Sequence, residues 1–116
     1  MRDDRPNPIV EMTFVFSLSV IEFCENLNEL KKFNISNQLF RSGTSIGACV
    51  REAQNAESKA DFIHKMKIAA KEAEETTYWL LLCKESSFLP SSEGLLYNIE
   101  NISKVLSKII ATSKKG

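Results

Sequence analysis

Apolar residues recur along this chain at alternating intervals of three and four, the spacing of helices that bury one side. Ile9, Met12, Phe16, Val20, Phe23, Leu27 and Leu30 form the first such run. They predict a long amphipathic helix over 8–32, opened by Asn7 as N-cap and by Pro8 at the first helical position, where its missing N–H costs nothing. Leu39, Ile46, Val50 and Ala53 predict a second helix over 35–55, with Gly43 standing in the gap of the stripe. Ser58-x-x-Asp61 has the form of a capping box, and the stripe Phe62, Met66, Ala69, Ala73, Thr76, Leu80 and Cys83 carries a third helix over 59–86. Pro90-Ser91-Ser92 opens a fourth over 91–112, with Leu95, Ile99, Ile102, Leu106 and Ile109 inward and Thr112 to Gly116 as a frayed tail. Nothing reads as strand, and short connections favour antiparallel neighbours. The expectation is an all-α protein, an antiparallel up-down-up-down four-helix bundle forming a single domain over 1–116. The amino-terminal heptapeptide is the one linker candidate.

Two helices carry a second periodic face. On the third, Ile68, Glu72, Glu75, Trp79 and Leu82 repeat the same alternation about 100° around from the core stripe. On the second, within "QLFRSGTSIGACVREAQ", Arg41, Ser45, Ala48 and Glu52 lie opposite Leu39, Ile46 and Val50. A solvated helix back is ordinarily filled with Lys and Glu, so this small-residue composition points to a subunit interface. Gly43 and Gly47, four apart, would let another helix approach closely, which offsets the roughly 1 kcal/mol that each interior glycine costs relative to Ala. A wider core face is the simpler alternative for Trp79 and Leu82. If the second and third helices fold back about Ala56 and Glu57, Arg41 comes level with Glu72 and Gln38 with Glu75. A charge-assisted pair of Arg41 with Glu72 or Glu75 follows, within one subunit or between two.

Composition narrows the chemistry. The chain of 116 residues has 15 basic and 15 acidic side chains, so no overall charge draws it to nucleic acid or membrane. The apolar stretch from Phe14 to Phe23 is interrupted by Ser17, Ser19 and Glu22 and is too short for a bilayer. The charged start "MRDDRPNP" lacks the apolar segment of a signal peptide, and Cys24, Cys49 and Cys83 have no metal or redox spacing, so the expectation is a cytoplasmic protein with reduced thiols. Cys24 and Cys83 fall on or near core stripes. His64 is the single histidine, which excludes a di-iron site within one chain. It stands about 28 Å along one helix from Cys83, too far to share a zinc ion. "GTSIG" lacks the G-K-[ST] ending of a phosphate loop. The residues support neither an enzyme nor a cofactor. Lysines are dispersed, although an oligomer would gather Lys104, Lys108, Lys114 and Lys115 of several copies into one basic patch.

"QLFRSGTSIGACVREAQNAESKADFIHKMKIAAKEAEETTYWL" resembles the bacterial four-helix-bundle family named after proteins encoded within intervening sequences of 23S ribosomal RNA genes. The matching positions are Gln38-Leu39, Arg41-Ser42, Ser45-Ile46, Glu52, Ser58, Asp61-Phe62 and the run from Glu72 to Leu80. Cys49 stands where the family often has Asn, and Ala53 where a Gly commonly follows the Glu. The resemblance implies a left-handed bundle assembled as a ring-like homopentamer. The sequence is also similar to the pentameric accessory proteins of diversity-generating retroelements, which bind reverse transcriptase and RNA through basic surfaces. The leading expectation is thus a non-enzymatic homo-oligomeric scaffold; the alternative is a nucleic-acid-binding or reverse-transcriptase accessory factor.

Overall fold

The computed structural model describes residues 7–116. The segment before Asn7, which holds the charged start and most of the linker candidate, lies outside the described residues. Four helices follow in order: α1 (Pro8–Glu29), α2 (Phe33–Ala53), α3 (Lys59–Glu85) and α4 (Glu93–Lys115). Each packs on the next and α4 returns to α1, least closely of the four pairs, while diagonal helices stay apart. Neighbouring residues run in opposite order on α1 and α2: Asn7 meets Gln54, a Cβ on Gly47 would meet Thr13, one on Gly43 would meet Val20, and Cys24 meets Ser36. The same holds for α3 and α4, where Ser92 reaches Leu80 and Gly116 lies beside Lys59. The four helices share one apolar core in a body 47 Å long and 22 × 21 Å across.

Helix ends depart from the periodic reading where local hydrogen bonding overrides it. The α1 stripe continues through Leu30, but the helix stops at Glu29 and Leu30 is exposed. Lys31 adopts φ 61°, its N–H donates to Asn28 C=O at 2.9 Å, and Lys32 N–H donates to Leu27 C=O at 2.8 Å. That pair of bonds is a Schellman stop, which usually carries Gly at the left-handed position. Lys31→Gly should therefore raise the unfolding free energy by about 0.5–1 kcal/mol, since the relieved Cβ clash exceeds the added freedom of the unfolded chain. A urea titration reads it directly. Asn7 holds the N-cap position without making the cap bond, and its amide donates to Gln54 Oε1 at 3.0 Å. Ser58 does cap α3, accepting from Asp61 N–H at 3.0 Å, while the Asp61 carboxylate accepts from Glu57 N–H at 3.1 Å. Residues 112–115, expected to fray, continue α4.

The α1 seam is also rotated from the apolar reading, for Thr13 and Cys24 are buried where Met12 and Phe23 are only half-buried. Hydroxyls can enter this core because each finds a carbonyl or another hydroxyl. Thr13 Oγ1 donates to Ile9 C=O at 2.8 Å, Ser36 Oγ to Cys24 C=O at 3.3 Å, and Ser92 Oγ to Leu80 C=O at 2.6 Å. Thr76 and Ser42 share a hydrogen bond of 2.9 Å across α2 and α3. No buried side-chain nitrogen or oxygen among the described residues lacks a partner.

The two central glycines serve contacts inside one chain. A Cβ on Gly43 would lie 2.8 and 2.9 Å from the two methyls of Val20, and one on Gly47 would lie 3.2 Å from Thr13 C=O. The close approach anticipated from another helix is thus made by the chain's own α1.

Candidate subunit interface

Arg41, on the outward side of α2, reaches across to α3 within the same chain. Its Nη1 lies 3.3 Å from Glu72 Oε1, and its Nη2 pairs with Glu75. Glu72 and Glu75 stand one turn apart, so their carboxylates fork around the guanidinium, and the Trp79 indole N–H donates to Glu75 Oε2 at 3.0 Å. Tyr78 meets Trp79 edge to face, with centroids 5.2 Å apart and planes at 64°. Half of the Arg41 side chain remains in solvent, so the pair adds no more than about 1 kcal/mol to folding. Trp79 is half-buried and packs against the core, in line with the wider core face, while Tyr78 is exposed beside it.

The remaining sequence-selected positions divide by burial. Gln38, Ala48, Glu52 and Leu82 are exposed, and Ser45 and Ile68 are half-buried. Ser45 Oγ donates to Arg41 C=O at 2.6 Å and so faces its own helix. Ser42, one of the positions that carry the family resemblance, is fully buried and bonded to Thr76, which makes it a contact between α2 and α3.

A second unpartnered face escaped the periodic reading. Val10, Phe14 and Leu18 on α1, with Phe40 and Ala48 on α2, line a groove of about 420 Å³ whose one charged lining residue is Arg51. Phe14 is 58% exposed and Leu18 53%. The signal was present as a second stripe, Phe14, Leu18 and Ile21, hidden behind the stronger inner one. The outer side of α3 is apolar as well, with Tyr78 56% and Leu81 45% exposed.

Lys104, Lys108, Lys114 and Lys115 are all exposed along α4. Lys67 joins them, for the Lys114 ammonium beside it holds its pKa below the ordinary lysine range. Sequence spacing could not place it there, since the two belong to different helices. His64 is exposed, and no three His, Cys, Asp or Glu side chains gather at a point among the described residues. Burial raises all three thiols, Cys83 to about 11, with Cys24 nearby adding to its rise. Cys49 is the least enclosed of them, set against Glu52 and Glu72, whose charges raise it further. An alkylating reagent at neutral pH should accordingly modify Cys49 first and leave Cys24 and Cys83 intact until unfolding, as peptide mass mapping would read.

Residues 6–108 match the family model described as 23S rRNA-intervening sequence protein. The chain belongs to this 23S rRNA-intervening sequence protein family. A solved structure of similar fold is the crystal structure of a protein of unknown function from the S23 ribosomal protein family of Bacteroides thetaiotaomicron VPI-5482. It is 41% identical, with a TM-score of 0.84 over 88% of this chain and 97% of that one. No curated protein matches the chain. The family match takes in all of α1, α2 and α3 and most of α4, well beyond the segment from Gln38 to Leu82 where the motif residues concentrate. No helix among the described residues is long and apolar enough to cross a membrane.

Proposed function

We propose that this member of the 23S rRNA-intervening sequence protein family is a cytoplasmic, non-enzymatic homo-oligomer, a ring-like pentamer, that acts as an interaction scaffold. The observation that carries this reading is the pair of apolar outward faces on one protomer, Phe14 and Leu18 on one side and Tyr78, Leu81 and Leu82 on another. Scattered surface apolar residues need no explanation, but clusters on defined helix faces are the mark of association. The forked Arg41 pairing supports it by anchoring the Trp79 indole through Glu75 next to exposed Tyr78, which lowers the ordering cost on binding. Light scattering at micromolar concentration should give a mass that is a multiple of the protomer, fivefold for the ring. A monomer at that concentration would remove the reading.

A second reading starts from Lys104, Lys108, Lys114 and Lys115, all exposed along α4, which an oligomer would gather from several copies into one basic patch. On this reading the oligomer is an accessory factor for nucleic acid or a reverse transcriptase. Its binding to single-stranded nucleic acid should weaken with salt at a slope of about −0.7 per phosphate contact. Absence of binding at low salt would end it.

A further inference from the structure

We propose, building on the homo-oligomer reading, that the groove between α1 and α2 receives the outer ridge of α3 from a second copy of the chain. The two surfaces match in length. From Val10 to Ile21 the groove runs about three helical turns, and Glu74 to Glu85 on α3 covers the same number. They also match in chemistry, for Tyr78 and Leu81 occupy the middle of the ridge and the apolar ring and methyls of Phe14 and Leu18 occupy the middle of the groove, with Phe40 at its Ile21 end.

Charge sets the direction. Arg51 lies at the Val10 end, because α1 and α2 run in opposite order, and exposed Glu25 continues the Leu18 and Ile21 stripe beyond the other end. The ridge carries Glu85 at one end and Lys71 just past the other, both exposed. Placing Glu85 against Arg51 brings Lys71 to Glu25, so both ends are complementary, with Glu74 one turn inside the second pair. The opposite direction sets Glu85 against Glu25 and is disfavoured by like charge. Each copy then offers a ridge and accepts one in its groove. Such a contact is heterologous, and its repetition yields a closed ring or an open filament rather than a two-fold dimer.

Leu18→Glu spoils the groove and leaves the ridge; Leu81→Glu does the reverse. Both positions are about half exposed, so circular dichroism should give native helicity for each. Each variant alone should be monomeric by light scattering. An equimolar mixture should form a species of twice the protomer mass and stop there, since the intact ridge of one fits the intact groove of the other. In a second test, Arg51→Glu should raise the dissociation constant by about tenfold and Glu85→Arg in the same chain should restore it. An oligomeric wild type whose two leucine variants keep the wild-type mass, or whose mixture stays monomeric, overturns the docking mode while leaving oligomerisation standing. Failure of Glu85→Arg to restore Arg51→Glu overturns the assigned direction. A monomeric wild type overturns both readings together.

Discussion

Ile46→Ala is expected to lower the unfolding free energy by about 2–5 kcal/mol. Ile46 is fully buried at the middle of α2, and α2 packs on both α1 and α3, so the removed atoms leave a void against two neighbouring helices. Interdigitated helices relax only partly into such a void. Alanine is the better helix former by less than about 0.7 kcal/mol, too little to compensate. Ile46→Val, which removes one methylene, should cost only about 0.5–1.5 kcal/mol. Urea unfolding checks both: the midpoint falls in that order while the slope stays constant, because the surface exposed on unfolding barely changes.

Gly43→Ala should destabilise by about 1–2 kcal/mol, although helix propensity alone favours alanine by about 1 kcal/mol. The new methyl would lie within 2.9 Å of both Val20 methyls. Val20 has no exposed surface, and its branched Cβ leaves it one strongly preferred rotamer within a helix, so the backbones of α1 and α2 must separate. The sign should invert in a Val20→Ala background. There the added methyl would enter space vacated by the valine, and the same glycine replacement should stabilise. A double-mutant cycle by urea or thermal unfolding measures that coupling, and the same sign in both backgrounds would refute the steric account.

Much of this bundle was legible because a period of three and four is a direct statement about which side of a helix is buried. The stripes on α2, α3 and α4 point inward with few exceptions, among them the half-buried Phe62 and Ile109. The pairing of Arg41 with Glu72 followed from counting residues away from the turn, and the two are joined in the structure. What the pattern missed was polar. Thr13, Ser36 and Ser92 look like surface residues by composition, and only the cross-helix and i−4 carbonyls they find make burial acceptable. The stripe takes Met12 over Thr13 for the same reason, since apolarity outranks hydrogen bonding in any periodic reading, whereas Cys24, expected on or near the stripe, is buried.

Of the candidate interface, the sequence disclosed which helix backs carry unusual residues but not which chain they touch. Gly43 and Gly47 are small because α1 is close, a fact that depends on helix order and separation rather than on spacing within α2. The groove floored by Gly47 went unread because it belongs jointly to two helices. Each contributes half of its lining, and the α1 half, Phe14, Leu18 and Ile21, stands behind the stronger inner stripe.

The hydrogen bond between Ser42 and Thr76 carries a consequence for how this chain can change over generations. Both side chains are fully buried, but their dependence on one another is unequal, for Thr76 Oγ1 also lies 2.7 Å from Glu72 C=O and can donate there. A lineage that first replaces Thr76 with an alkyl side chain strands the Ser42 hydroxyl at a cost of about 1–3 kcal/mol, whereas one that first replaces Ser42 leaves Thr76 its carbonyl. The order of substitution is therefore constrained. Relatives should carry a hydroxyl at both positions, at neither, or at the Thr76 position alone, and an alignment in which Ser42 alone is common would refute the constraint.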